Sequence, residues 1–316
     1  MSLAEHRSAG PQLTTGAPVG LVLVRWLEQQ RDALVEADRQ TRDGDKHGVH
    51  DLRVSLRKLR SALATFRPFV DRSVTEPLRD ELRWAGGELG GARDHEVVDE
   101  RLHALLLAER ERLLVGPVRP EGPDVSAVSV LDETAEEDRP SEAAVVADTL
   151  DSERYARLLV ALDVLVAQPP LTPRAEEPAR KQATKRVHRD LARLLARAEH
   201  TTAEMDEPAR VESLHEVRKA AKRLRYAAEA ARPVTGKRVR RVGKTAKQLQ
   251  KVLGEHHDTW MTREVLASNA ARSDERGDSS FTIGRLHGLE QARAEHLERR
   301  AQVVLTTLTN LADRDG

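Results

Sequence analysis

The sequence predicts an all-α protein, built as two antiparallel four-helix bundles that are related by pseudo-two-fold symmetry. Of its 316 residues, 33% are charged and 3% are aromatic, and the frequent Ala, Leu, Glu and Arg all favour helices. Residues 49–68 read VHDLRVSLRKLRSALATFRP and residues 214–233 read LHEVRKAAKRLRYAAEAARP. The segments LGGARD at 89–94 and LGEHHD at 253–258 repeat at nearly the same offset. Two separated motifs at one spacing indicate an internal duplication.

The first half is expected to span residues 19–167, after a polar segment, 1–18, that is predicted to be disordered. Its helices are predicted from apolar periodicity, from the proline after the first repeat and from the paired glycines at 90–91. The predicted helices are 19–40, 49–66, 75–89, 94–114 and 146–167. An acidic insertion interrupts them at about 115–145. Residues 119–153 hold eleven acids against two arginines, and Pro and Gly punctuate the first part, so we predict a disordered insertion.

The second half is expected to span residues 179–312, after a Pro-rich linker at 168–178. Its predicted helices follow the same order: 179–200, 213–231, 236–253, and a last pair separated by the polar segment 273–280. The chain has no cysteine, which excludes disulfides and thiolate metal sites. Its longest early apolar run, VGLVLV, is too short to cross a membrane, and no secretory signal is apparent. We therefore expect a cytoplasmic protein that does not bind membranes.

Each copy of the repeat carries a row of basic residues beside its apolar stripe. A histidine is followed at three, seven and ten residues by Arg or Lys, and these positions share an arc of about 80° on a helix. The rows are His50, Arg53, Arg57 and Arg60 in the first copy, and His215, Arg218, Lys222 and Arg225 in the second. A row that borders the buried stripe lies at the edge of the helix packing, where it lines a groove. We assign the adjacent Lys58 and Arg223 to the same binding surface.

The second copy adds another basic row on its next helix. Five residues share one arc of this helix: Lys237, Arg240, Lys244, Lys247 and Lys251. In the first copy Glu76 and Asp80 take the places of Arg240 and Lys244. Because like charges at these spacings destabilise a helix, the rows predict an anionic ligand. We expect the second half to contribute more of the affinity.

An extended polyanion suits these rows better than a single phosphate, since Arg and Lys follow the helices for two turns or more. Tyr226 is the only aromatic residue in the basic segments 49–60 and 214–251, whereas proteins that bind single strands stack bases on aromatic residues. No Gly-rich phosphate loop is present. Nucleic acid is therefore the less favoured ligand, and a polyanion without bases fits better.

The duplicated motifs, VHDLRVSLRKLRSAL and LHEVRKAAKRLRYAA, each followed by an LG-x-x-[RH]-D segment, resemble the CHAD domain, the conserved histidine α-helical domain. The resemblance covers roughly residues 19–310 and implies two four-helix bundles, binding of inorganic polyphosphate through a basic groove and, in some members, association with polyphosphate granules. The chain departs from the family pattern at His257, which stands where Arg93 is found in the first copy. The E-x-E-x-K signature of the catalytic CYTH domain does not occur. The resemblance thus implies a standalone, non-catalytic binding module without a cofactor or bound metal.

Three alternatives remain open from the sequence. One is a metal site built from the histidines and from Asp94 and Asp258, although no His-x3-His pair supports it. Another is a divalent-metal-dependent enzyme that processes polyphosphate, which would need carboxylates to hold Mg²⁺. The third is a nucleic-acid-binding helical protein.

Overall fold

The protein is all-α, as predicted, in a computed structural model that describes residues 16–90, 98, 100–108, 142–201, 206–276 and 280–313. The acidic insertion, most of the LGGARD segment and Asp94 lie outside these residues. The described residues form ten α-helices and no β-strand beyond two isolated bridges. The helices are α1 (Val19–Arg42), α2 (Gly48–Thr65), α3 (Arg72–Glu88), α4 (100–108), α5 (Glu142–Asp151), α6 (Glu153–Ala167), α7 (Ala179–Glu199), α8 (Glu207–Ala231), α9 (Lys237–Arg276) and α10 (Phe281–Asp313).

Local sequence signals account for most helix boundaries. The loop between α1 and α2 turns at Gly44, whose φ of 82° is a conformation that other residues rarely adopt. The carboxylate of Asp71 accepts a hydrogen bond from the backbone of Ser73 and caps α3, and Asp206 caps α8 in the same way through Ala209. Each helix thereby satisfies a backbone donor that would otherwise be left without an acceptor.

The Arg-Pro pairs that end both repeats adopt the same local structure. A short 3₁₀ turn follows α2 at Arg67–Phe69, and another follows α8 at Arg232–Val234. Proline cannot donate a backbone hydrogen bond and so stops the helix at both places. Arg72 and Lys237, the first residues of α3 and α9, are separated by the same 165 residues as His50 and His215. The connection from α2 to α3 in the first half therefore resembles that from α8 to α9 in the second.

The predicted break after residue 253 was wrong, because α9 continues for 40 residues through the LGEHHD segment to Arg276. The prediction relied on the paired glycines of the first copy, but the second copy has Gly254 alone, which a helix tolerates at a cost of about 1 kcal/mol. The predicted helix at 146–167 is instead two helices. Ser152 separates them, and its hydroxyl caps α6 by accepting from the backbone of Tyr155.

The described residues of the first half form six helices, α1 to α6, where the sequence predicted five helical segments in a four-helix bundle. Among the described residues, the apolar side of α4 packs against the second half. Val98 and Leu102 form a small cluster with Leu266 on α9 and with Ile283 and Leu286 on α10. This packing ties α4 to the second half, beyond the boundary that the sequence placed at residue 167.

Buried residues of both halves form one continuous core, in which α2 packs against α8. Small residues permit close approaches. The surface of α8 that faces the core carries Ala220, Ala221, Ala227 and Ala228, and a Cβ built on Gly243 of α9 would come within 2.8 Å of the Ala228 side chain. The low aromatic content is consistent with this packing. In the part of the chain that the structure describes, no helix is long and apolar enough to cross a membrane.

Candidate anion-binding groove

The two basic repeats meet where α2 crosses α8. Lys58 on α2 lies 3.6 Å from a carboxylate oxygen of Glu229 on α8, measured from its Nζ atom. Arg223 on α8 donates to the carbonyl oxygen of Ala64 on α2 at 3.2 Å. Lys58 precedes Ala64 on α2, whereas its partner Glu229 follows Arg223 on α8, so the helices run antiparallel. Since the repeat relates position 58 to 223 and position 64 to 229, the two contacts are equivalent.

Four half-buried cations cluster between these contacts: Arg57, Arg60, Arg218 and Lys222. Within the described ranges, none of the four has a carboxylate oxygen within ion-pair distance. The Nε atoms of Arg57 and Arg218 are buried and have no hydrogen-bond acceptor there. Half-buried charges without counter-charges are costly, and the cluster therefore carries positive charge that no described carboxylate offsets.

Burial and basic residues from the rows of both halves lower the pKa of one lysine, Lys222. Burial, together with Arg218 from its own helix and Arg57, Arg53 and Arg60 from α2, lowers the pKa of Lys222 to about 7. The structure thus brings residues of both predicted rows together around this side chain. Lys222 is therefore only partly protonated at neutral pH.

A third helix adds positive charge at Arg60. Burial lowers the pKa of this guanidinium, and Arg83 and Arg79 on α3 and Arg57 on α2 lower it further. The sequence pattern did not select these two α3 residues, because acids neighbour both of them. In the structure Arg79 pairs with Glu76, and Arg83 pairs with Asp80 at 3.0 Å. Glu76 and Asp80, which take the places of Arg240 and Lys244 in the repeat, thus pair with arginines of their own helix.

The glycines of the LG motifs lie against the basic rows. A Cβ built on Gly254 would meet the Nε of Arg218 at 3.6 Å, and one built on Gly90 would meet Nη2 of Arg53 at the same distance. Both are ordinary van der Waals distances, so each arginine side chain packs directly against the backbone of a glycine. This contact gives a physical reason for the joint repetition of the two motifs.

The histidines lie at the outer ends of the rows. The rings of His215 and His257 lie 4.8 Å apart, and burial, with Lys219 and Arg218, lowers the pKa of His215. His50 is exposed and lines a cleft with Arg53 and with Val146 of α5. His215 is mainly neutral at pH 7, so it can serve the groove as a hydrogen-bonding group rather than as a full charge.

Arg223 is held by the protein itself. Its Nε lies 3.0 Å from Oδ1 of Asp190 on α7, a carboxylate whose side chain is only 4% exposed. The same aspartate accepts from Thr65 of α2 at 3.0 Å and pairs with Arg193 at 2.6 Å. Asp190, which no sequence motif singled out, thereby links three helices beneath the groove.

Two more predicted ligands already share a carboxylate. Arg225 donates from Nε to Glu229 at 2.7 Å and from Nη1 to the side-chain oxygen of Gln250 at 3.2 Å. Lys58 approaches the other oxygen of Glu229 and also lies over the ring of Trp26. Their charges are partly neutralised in the ligand-free protein.

The lysine row on α9 is the most exposed part of the predicted binding surface on α8 and α9. All five of its members are exposed, and none of them is among the charges that lower the pKa of Lys222. Lys251 lies 3.9 Å from Glu255 of its own helix. The assignment of this exposed row to the binding surface stays a prediction.

The histidine motif of the second half does not assemble a metal site. Nε2 of His256 lies 3.0 Å from Glu298 on α10, whereas His257 faces His215, so the adjacent rings diverge. Among the residues that the structure describes, no group of three or more His, Asp or Glu is arranged to hold a metal ion. Asp94, the other acid of the alternative metal site, lies outside them.

A family model, described as the CHAD domain, matches residues 25–267. The chain belongs to the CHAD family. The match includes both basic rows and both LG segments, and so covers the whole groove. In Mycobacterium tuberculosis, the curated proteins MT2285 and Rv2226 are each 33% identical to it over 285 residues, or 90% of this chain. The chain spans about half the length of these relatives, 52% of each.

Two solved structures have the same fold. PptA from Streptomyces chartreusis matches with a TM-score of 0.70 and 22% identity over 93% of this chain and 100% of its own. The crystal structure of the CHAD domain from the plant Ricinus communis matches with a TM-score of 0.64 and 21% identity over 98% of this chain and 97% of its own. At these identities the likeness establishes the fold and nothing further.

Proposed function

We propose that the protein binds inorganic polyphosphate in the groove between α2 and α8 and does not cleave it. The observation that carries the proposal is the central cluster of Arg57, Arg60, Arg218 and Lys222, half-buried and without carboxylate partners among the described residues. Arginine binds phosphate oxygens with a planar fork, and a row of such groups suits a repeating chain of phosphates.

A chain without bases fits this groove better than nucleic acid does. Tyr226, the aromatic residue of the basic segments, is 5% exposed, and its ring is buried in the core. Trp26 lies beneath Lys58 and is half-buried. Neither ring offers a face on which a base could stack.

The groove is proposed to lie on a pseudo-two-fold axis that relates the two halves. The equivalent contacts of Lys58 with Glu229 and of Arg223 with Ala64 support this arrangement, as do the equal separations of the helix starts. Arg57 and Lys222, which correspond in the repeat, would then face each other at the centre of the bound chain.

Binding without cleavage is proposed because the carboxylates nearest the cluster are already engaged. Asp190 holds Arg223 and Arg193, and Glu229 holds Arg225 and Lys58. Metal-assisted phosphoryl transfer needs carboxylates that are free to hold Mg²⁺ beside the scissile phosphate.

The decisive experiment is a titration of labelled long-chain polyphosphate, with single-stranded DNA of matched charge as competitor. We expect polyphosphate to displace the DNA and the DNA to fail to displace polyphosphate. Replacement of the central cluster by glutamine should remove binding while the protein stays folded. Displacement of polyphosphate by DNA at equal charge would instead favour the nucleic-acid alternative.

Catalysis is tested separately, by incubation of pure protein with Mg²⁺ and polyphosphate. Chain length on a gel should not change, whereas progressive shortening would contradict the proposal. In cells, we expect a fluorescent fusion to collect on polyphosphate granules. The variant with the central cluster replaced should stay dispersed.

A further inference from the structure

One end of the groove already contains an anion that belongs to the protein. Oε1 of Glu229 accepts from the Nε of Arg225 at 2.7 Å, and Oε2 lies 3.6 Å from the Nζ of Lys58. The two cations come from different halves of the chain. The guanidinium of Arg225 is further held by the side-chain oxygen of Gln250 on α9. A single carboxylate thus occupies a position that is surrounded by groups from three helices.

The equivalent position at the other end of the groove has no carboxylate. There the repeat places Ala64, whose carbonyl oxygen accepts from Arg223. Arg60, the counterpart of Arg225, forms no ion pair among the described residues. The repeat position that carries Glu229 at one end is thus an alanine at the other, where Arg223, the counterpart of Lys58, is held by Asp190 of α7 instead.

We propose that Lys58 and Arg225, the latter oriented by Gln250, form an additional anion subsite, which the Glu229 carboxylate occupies in the ligand-free protein and a phosphate group of the ligand takes over. This inference rests on the proposed function, since the incoming anion is the polyphosphate held by the central cluster. Carboxylate and phosphate oxygens accept the same N–H donors of arginine. An internal phosphate of the chain carries about one negative charge, so it can take the place of the carboxylate between the two cations while the Glu229 side chain turns toward solvent.

The contacts of Glu229 are weak enough to exchange. The side chains of Lys58, Arg225 and Glu229 are 21%, 22% and 32% exposed, so solvent screens the pairs. Partly exposed pairs of this kind contribute little to stability. A polyphosphate chain that is bound at the centre presents its next phosphates to this end at high effective concentration. Several tethered phosphates can therefore displace one carboxylate.

The test uses two variants: one removes the carboxylate at position 229, and the other adds a carboxylate at the equivalent position 64. Glu229→Gln keeps the size of the side chain and releases both cations, so long-chain polyphosphate should bind about threefold to tenfold more tightly at low salt. Ala64→Glu places a carboxylate four residues after Arg60, as Glu229 stands after Arg225, and should weaken binding by a similar factor. Both effects should shrink at high salt.

Glu216→Gln is the matched control. It makes the same charge change on the same helix, but Glu216 pairs with Lys219, whose side chain is 54% exposed, and with Arg197 on α7. Its effect on affinity should stay below about twofold. A Glu229→Gln variant that is folded, by its thermal unfolding, and binds no more tightly than this control would overturn the subsite.

The failure of the subsite and the failure of the proposed function are distinguishable. If polyphosphate is not the ligand, the wild-type protein itself shows no binding. If only the subsite is wrong, wild-type binding persists and the change at position 229 leaves it unaltered or weakens it. If Ala64→Glu does not fold, the comparison between positions 229 and 216 decides alone.

Discussion

The α2 side and the α8 side of the groove carry the same motif but differ in how much of their charge is free. On α2, Arg57 and Arg60 have no carboxylate partner among the described residues. On α8, Arg218 likewise has none, but Arg225 shares Glu229 with Lys58 of α2, Arg223 is held by Asp190, and Lys222 has a pKa of about 7. The expectation that the second half contributes more of the affinity stays a prediction, and we propose against it that the α2 side contributes at least as much. The number of basic residues is a poor guide to binding, because charge that is already neutralised attracts little.

The largest expected effect concerns stability at the equivalent positions 223 and 58. Arg223→Gln should lower the free energy of unfolding by about 2 kcal/mol, since buried Asp190 then keeps only Arg193 and Thr65. Lys58→Gln should cost less than about 0.5 kcal/mol, because its pair with Glu229 is long and partly exposed. Urea denaturation of both variants measures the difference. Equal losses would mean that Asp190 does not hold the helices together.

The next effect compares affinity at positions 60 and 225. Arg60→Gln should weaken polyphosphate binding about tenfold, since it removes an unneutralised charge beside the centre. Arg225→Gln should weaken it only about twofold, because part of that charge is already used by Glu229. Calorimetric titration at one salt concentration gives both ratios. A larger loss at position 225 would restore the second half as the dominant one.

A smaller effect is the pH dependence that Lys222 imposes. Polyphosphate favours the protonated lysine, whose pKa in the free protein is about 7, so binding takes up a proton above that pH. Affinity should fall by about threefold to tenfold between pH 7 and pH 9. Lys222→Arg, which stays charged over this range, should flatten the profile. A wild-type profile as flat as that of the variant would contradict the assignment.

The same lysine predicts a small change in the stability of the ligand-free protein. The lowered pKa means that the unfolded chain holds more protons than the folded one between pH 7 and about pH 10. The free energy of unfolding should therefore rise with pH across this window as far as Lys222 is concerned. Lys222→Met should reduce this rise in thermal unfolding, with Lys251→Met, at an 80% exposed side chain, as the control. The control should keep the wild-type slope.

The sequence predicted the helical class and both basic rows because periodicity and repetition are local properties. It could not predict that Arg223 is neutralised, since Asp190 lies 33 residues earlier and only tertiary packing brings the two together. It also missed the contribution of Arg79 and Arg83, because their neighbours in sequence are acids. The continuity of α9 through Gly254 was missed because a motif that ends a helix in one half was expected to end it in the other.

The antiparallel crossing of α2 and α8 has a consequence for how a linear ligand enters the proposed site. A polyphosphate chain has no direction, since it is the same molecule when it is read from either end. It need not be turned before it docks between the two helices, as a peptide or a nucleic acid strand must be. Each phosphate can also replace its neighbour against the same arginine, so a bound chain can slide by single units. The difference between Ala64 and Glu229 then gives the protein two unequal exits for a ligand that is itself symmetric.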